Sequence, residues 1–132
     1  MWFKSTPEKN NDQVAPENSS KTYSRIRRRQ GSITGKSRAT TVMKAMSNSQ
    51  RLQILSHLIN NKEMSVKELE ETIETLSQSA LSQHLGRLRR ANILKTRRDS
   101  QMVYYSVQDD NVEAIMQLLN NMYEKDPVLS KN

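Results

Sequence analysis

The chain has 132 residues and no cysteine, and 21 Lys and Arg against 14 Asp and Glu give it a net charge of +7. That length allows one domain with tails, and the missing thiols exclude disulfides, thiol redox chemistry and thiolate metal sites. No apolar run approaches the roughly 20 residues that span a bilayer, and MWFKSTPEKNNDQ lacks the apolar core of a secretory signal, so a cytoplasmic protein is expected.

The charge is unevenly placed. Residues 1–41 hold nine Lys and Arg and three Asp and Glu, whereas residues 42–132 hold twelve against eleven. A basic arm on a nearly neutral body points to an anionic partner, nucleic acid before membrane. Residues 1–36 are rich in Ser, Asn, Lys, Thr and Pro and are expected to be a disordered basic tail, because they cannot bury enough apolar surface to offset their ordering entropy. Within it, Arg25-Ile26-Arg27-Arg28-Arg29 is either an arm that adds phosphate contacts or a solvated tail.

The folded body is expected over 37–126, with 127–132 as a C-terminal tail. Thr41–Met46 reads as a short apolar helix. In SQRLQILSHLINN, the spacing of Leu52, Leu55, Leu58 and Ile59 marks one buried helical face; Asn48 or Ser49 caps its start, and Asn60-Asn61 ends it. Ser65-x-x-Glu68 is a capping box that opens a third helix burying Val66, Leu69 and Ile73. Thr75-Leu76-Ser77 makes a turn, and Ser77 caps a fourth helix, Gln78 to Arg90, with Leu81, Leu85 and Leu88 on its apolar face. The period then becomes alternating in Ile93–Arg98 and Met102–Val107, which predicts a hairpin with Asp99-Ser100-Gln101 at its tip. Asp109 caps a last helix, whose stripe is Val112, Ile115, Met116, Leu119 and Met122 and whose end is marked by Pro127. The expected fold is mainly α with a small β-hairpin, a winged helix-turn-helix.

The fourth helix carries the chemistry. Major-groove readers are side chains that make paired hydrogen bonds, such as Gln to adenine and Arg to guanine. Ser79, Ser82 and Gln83 fall opposite the apolar face, near the helix N-terminus, which in such folds points into the groove. Ser77 and Gln78 sit beside free backbone amides suited to a phosphate, and Arg87, Arg89 and Arg90 suit the DNA backbone. On the hairpin, Arg97, Arg98 and Gln101 are placed to reach a minor groove or its phosphates. His84 either packs beneath this helix or touches a phosphate, and His57 is a boundary packing residue. Two His 27 positions apart without Cys match no metal-ligand spacing. Taken singly, Ser, Gln and Arg on a helix are ordinary solvated residues. It is their coincidence with a capped helix, a turn and a basic hairpin that is specific. No paired acid and base, nucleophile or Gly-rich loop occurs, and only three Gly are present, so an enzyme is not expected and no cofactor is called for. The competing readings are a winged-helix protein-interaction module and a non-specific nucleoid-associated module.

LSQSALSQHLGRLRRANILKTRRDSQMVYYSV, preceded by MKAMSNSQRLQILSHL, resembles the ArsR/SmtB family of bacterial winged-helix regulators, and within it the HlyU/BigR-like branch. The resemblance spans about residues 40–125. It implies helix-helix-helix-helix-strand-strand-helix protomers and a homodimer joined through its first and last helices, with Val42, Met43 and Met46 meeting Ile115, Leu119 and Met122 across a two-fold axis. The last helix also carries more apolar surface than a body of about 90 residues with a small core needs. Such a dimer would read a near-palindromic double-stranded operator with half-sites about one helical turn apart, most simply as a repressor in the bacterial nucleoid. The sensing half of the family pattern is missing. Glu70 and Glu124 stand where sensing relatives often have Cys, and the last helix has no His.

Overall fold

Among the described residues five helices surround a small sheet, and four of them start at a side chain that accepts from their first free amides. The computed structural model describes residues 37–129; the expected tail over 1–36 lies outside the described residues. Helix α1 runs Arg38–Met46 and α2 Ser49–Asn61. The Asn48 side chain caps α2, accepting from the amides of Gln50 and Arg51. Strand β1, Met64–Ser65, leads into α3, Val66–Thr72. Here the capping box is complete: Ser65 Oγ accepts from the Glu68 amide at 3.1 Å and Glu68 Oε1 accepts from the Ser65 amide at 2.9 Å. Such a cap is worth about 1 kcal/mol.

Helix α4, Gln78–Arg90, starts at Ser77, whose Oγ accepts from the Ala80 amide. It ends in a Schellman turn. Asn92 takes a left-handed φ of 59°, its amide donates to Arg89 O, and that of Ile93 donates to Leu88 O. Asn tolerates this conformation better than most residues. Strands β2, Leu94–Asp99, and β3, Met102–Val107, form the hairpin, and α5 covers Asp110–Met122 with Asp109 as its cap. The sheet order is β1-β3-β2, antiparallel throughout, with Thr96 opposite Tyr105 and Arg97 opposite Tyr104.

One continuous core joins Ile54, Leu55, Leu58, Leu69, Ile73, Leu81, Leu85, Leu88, Ile93, Leu94, Val112 and Met116. The buried face of α2 is therefore Arg51, Ile54, Leu55 and Leu58, one position earlier than the apolar spacing suggests. Leu52 and Ile59 are only partly buried. Helix α5 stops at Met122, before the expected Pro127, because Asp126 nucleates a turn that folds the chain back. Asp126 accepts from the amides of Val128 and Leu129, and Leu129 enters the core. Arg38 ties three segments together: it donates to the Ala91 and Asn92 carbonyls and pairs with Asp109 at 2.7 Å. That guanidinium, together with two backbone amides, holds the Asp109 carboxyl below its ordinary range. No described helix is long and apolar enough to cross a membrane.

Candidate nucleic-acid interface

Helix α4 presents two faces of different chemistry. Leu81, Leu85 and Leu88 point into the core, and the same 3.6-residue period turns Ser79, Ser82, Gln83, Gly86 and Arg90 the other way. Ser79, Ser82, Gln83, Arg87 and Arg90 are exposed. No side chain of Ser82, Gln83, Arg87 or Arg90 forms a hydrogen bond or ion pair among the described residues. Ser77 is spent on the cap, with Ser79 Oγ 3.4 Å away, while Gln78 is exposed beside it. Gly86 is a gap in this face: a Cβ there would meet only the Arg90 guanidinium, at 3.2 Å.

His84 departs from the expected set. Its Nε2 lies 2.9 Å from Gln50 Oε1 and its Nδ1 3.3 Å from Arg51 Nη1. A carbonyl oxygen only accepts and a guanidinium only donates, so the ring is neutral, with its proton on Nε2. Both nitrogens are occupied from α2, which leaves none for a phosphate or a base. Arg51 is itself buried, and its Nε donates to Ala45 O at 2.6 Å. A chain of hydrogen bonds thus runs from the last turn of α1 through Arg51 to the middle of α4. Nothing in the local spacing of Gln50 and Arg51 signals this role.

On the hairpin, Arg97 is also committed. It forms a two-pronged pair with Glu63 at 3.2 and 2.7 Å and lies 4.5 Å above the Tyr104 ring. Its hydrogen bond to Arg97 holds Glu63 below its ordinary range. Arg98 and Gln101 are exposed, and Gln101 follows Ser100, whose left-handed φ of 60° makes the tight turn. The hairpin tip thus offers Arg98 and Gln101 freely, and Arg97 only by exchange with Glu63.

The residues expected at a two-fold interface divide. Val42 and Met46 belong to the protomer's own core, because the inner face of α1 packs on α2, and Ile115 and Leu119 are half-buried. Met43 and Met122 are exposed. They are joined by Leu118 and Tyr123, which the sequence reading did not single out.

Burial and the charges of Arg51 and Arg87 lower the His84 pKa from its ordinary value, and burial alone lowers that of His57. A base whose folded-state pKa is depressed takes up its proton on unfolding. Its stabilising neutral form is therefore fully present above the unfolded value of about 6.5 and is lost as pH falls below it. Unfolding free energy measured in urea should be flat above about pH 7 and decline below about 6.5. His84→Asn, which has no proton to gain, should show a shallower decline; an identical acid limb would place the sensitivity elsewhere.

The family model described as bacterial regulatory protein, arsR family, matches residues 48–96. The transcriptional activator HlyU of Vibrio cholerae is 48% identical over 86 residues, 65% of this chain and 78% of the relative. The solved structure of HlyU from Vibrio cholerae N16961 superposes with a TM-score of 0.62 at 46% identity, covering 67% of this chain and 94% of that one. The transcriptional repressor PagR of Bacillus anthracis gives 0.59 at 35% identity, covering 63% and 93%.

Proposed function

The chain belongs to the arsR family of bacterial regulatory proteins and is a DNA-binding transcriptional regulator with a winged-helix fold; from that premise we propose that it is a homodimeric, sequence-specific repressor. The observation that carries this reading is the uncommitted face of α4. Ser82, Gln83, Arg87 and Arg90 are exposed on it and their side chains spend no hydrogen bond within the described protein, while the opposite face is anchored by three buried leucines. Ser79, Ser82 and Gln83 read base edges, and Arg87 and Arg90 dock on phosphates. Gly86, in the middle of the face, lets the helix backbone come close to the groove floor. Ser77, Gln78, Arg98 and Gln101 add backbone and wing contacts. His84 serves from behind by fixing the helix.

Two such helices, paired through Met43, Leu118, Met122 and Tyr123, address a near-palindromic operator. Occupying a promoter blocks polymerase, and repression follows without further machinery. Relatives described as an activator and as a repressor both exist, and the position of the site within the promoter decides between them. With no cysteine in the chain, no thiol chemistry controls it. Its place of action is the bacterial cytoplasm, on nucleoid DNA.

Selection from a random duplex pool at near-physiological salt should enrich a two-fold symmetric motif. Binding without a motif would replace this reading with a non-specific architectural role. On the selected operator, Gln83→Ala should cost about 1–3 kcal/mol and relax preference at one base pair. An equal loss on every sequence would make Gln83 a backbone contact.

A further inference from the structure

On the side of α5 away from its exposed apolar stripe, a cleft of about 320 Å³ opens between α2 and α5. The two faces of α5 follow the same spacing. The exposed Leu118 and Met122 with the half-buried Ile115 and Leu119 form the stripe, and Glu113, Met116, Gln117 and Asn120 line the cleft. A dimer joined through the stripe therefore leaves the cleft open.

The lining is mostly polar, with Ile59 and Met116 as its apolar members. From α2 come Ser56 and Asn60, and Lys62 follows at the helix end; from α5 come Glu113, Gln117 and Asn120. Ser56 is only 5% exposed, yet its hydroxyl has no hydrogen-bond partner among the described residues. A buried hydroxyl is normally paired, because leaving it unpaired forfeits its desolvation cost. The side chains of Asn60, Lys62, Glu113, Gln117 and Asn120 are likewise unspent within the described protein. Lys62 and Glu113 offer opposite charges at one cleft without pairing with each other.

We propose that this cleft is an effector site for a small zwitterionic metabolite of α-amino-acid size. Lys62 meets the carboxylate, Glu113 the ammonium group, and the carboxamides of Asn60, Gln117 and Asn120 supply donors and acceptors around them. Ser56 gives the deepest hydrogen bond. The volume lies at the small end of ligand pockets, roughly 300–1,000 Å³, which accommodates a ligand of this size. Occupancy acts on α2, the helix whose other end holds His84 and with it α4. The effector role rests on the regulator reading above; the site itself does not.

The test is thermal unfolding of the full chain with each standard α-amino acid in turn. At about ten times its dissociation constant, a bound amino acid raises the midpoint by about 6–11 °C. Ser56→Ala and Asn120→Leu should fold as the parent does and lose most of that shift. No shift with any amino acid, or an equal shift in both variants, would overturn the site. The amino acid that binds is then added to the operator titration. A change in affinity of at least about threefold supports the effector role, and no change overturns it while leaving the site. Were no operator found, the thermal result would still judge the site alone.

Discussion

Leu118→Glu should leave each protomer folded and lower operator affinity by at least about a hundredfold. Leu118 is 57% exposed and Met122 60% exposed in the single chain, so neither contributes much to its own core. A glutamate in the middle of α5 is a good helix former, and surface substitutions of this kind usually change stability by within about 0.5 kcal/mol. In the proposed dimer the same position is covered, and an unpaired carboxylate there faces apolar surface and its own symmetry mate. Once the subunits part, each half-site is bound alone, and the avidity of a linked pair, about 10²–10⁴, is lost. Sedimentation should give the monomer mass and circular dichroism an unchanged helix content. A variant that stays dimeric, or a monomer that keeps parental operator affinity, would remove α5 as the pairing surface.

Local signals were legible in the chain and long-range ones were not. Ser65, Ser77 and Asp109 announce helix starts because a cap is satisfied within three residues, and each caps as expected. The bounds of α4 and β3 also match the expectation, since Asn92 and the alternating run after it are local as well. Strand β1 is only two residues long, too short to show a period, and it exists because β3 offers a free edge to Met64 and Ser65. The phase of α2 is hidden for a related reason. Its inner face begins with Arg51, a residue type that periodicity counts as outward, and Leu52 then shifts the apparent stripe by one.

The exposed face of α4 shows the same division. Ser79, Ser82, Gln83, Arg87 and Arg90 follow from helical spacing alone. What the sequence hides is which polar residues are already engaged. His84 is held by residues 33 and 34 positions away and Arg97 by one 34 positions away, and no window along the chain spans such distances. The apolar character of Val42 and Met46 says only that they are covered, and in the single chain the protomer's own core covers them.

Arg51→Met is the sharpest test of how α4 is held. Methionine keeps the apolar stem and removes every donor, leaving Ala45 O and His84 Nδ1 without the partners they now have at 2.6 and 3.3 Å. Hydrogen bonds from a charged donor contribute about 1.5–3 kcal/mol each, and removing the buried charge gives back part of that through relieved desolvation. A net loss of about 2 kcal/mol in urea unfolding is expected from that difference. Operator affinity should fall about tenfold, because the ring that seats α4 loses one of its two anchors. Arg51→Lys should be intermediate, since an ammonium group does not reach both acceptors with a guanidinium's geometry. The acid limb carries a second readout. Without the Arg51 charge the His84 pKa returns toward its ordinary value, so stability should decline less steeply below about pH 6.5 than in the parent. Parental stability together with parental operator affinity would mean that leucine packing alone sets the angle of α4, with the Ala45–Arg51–His84 chain a bystander.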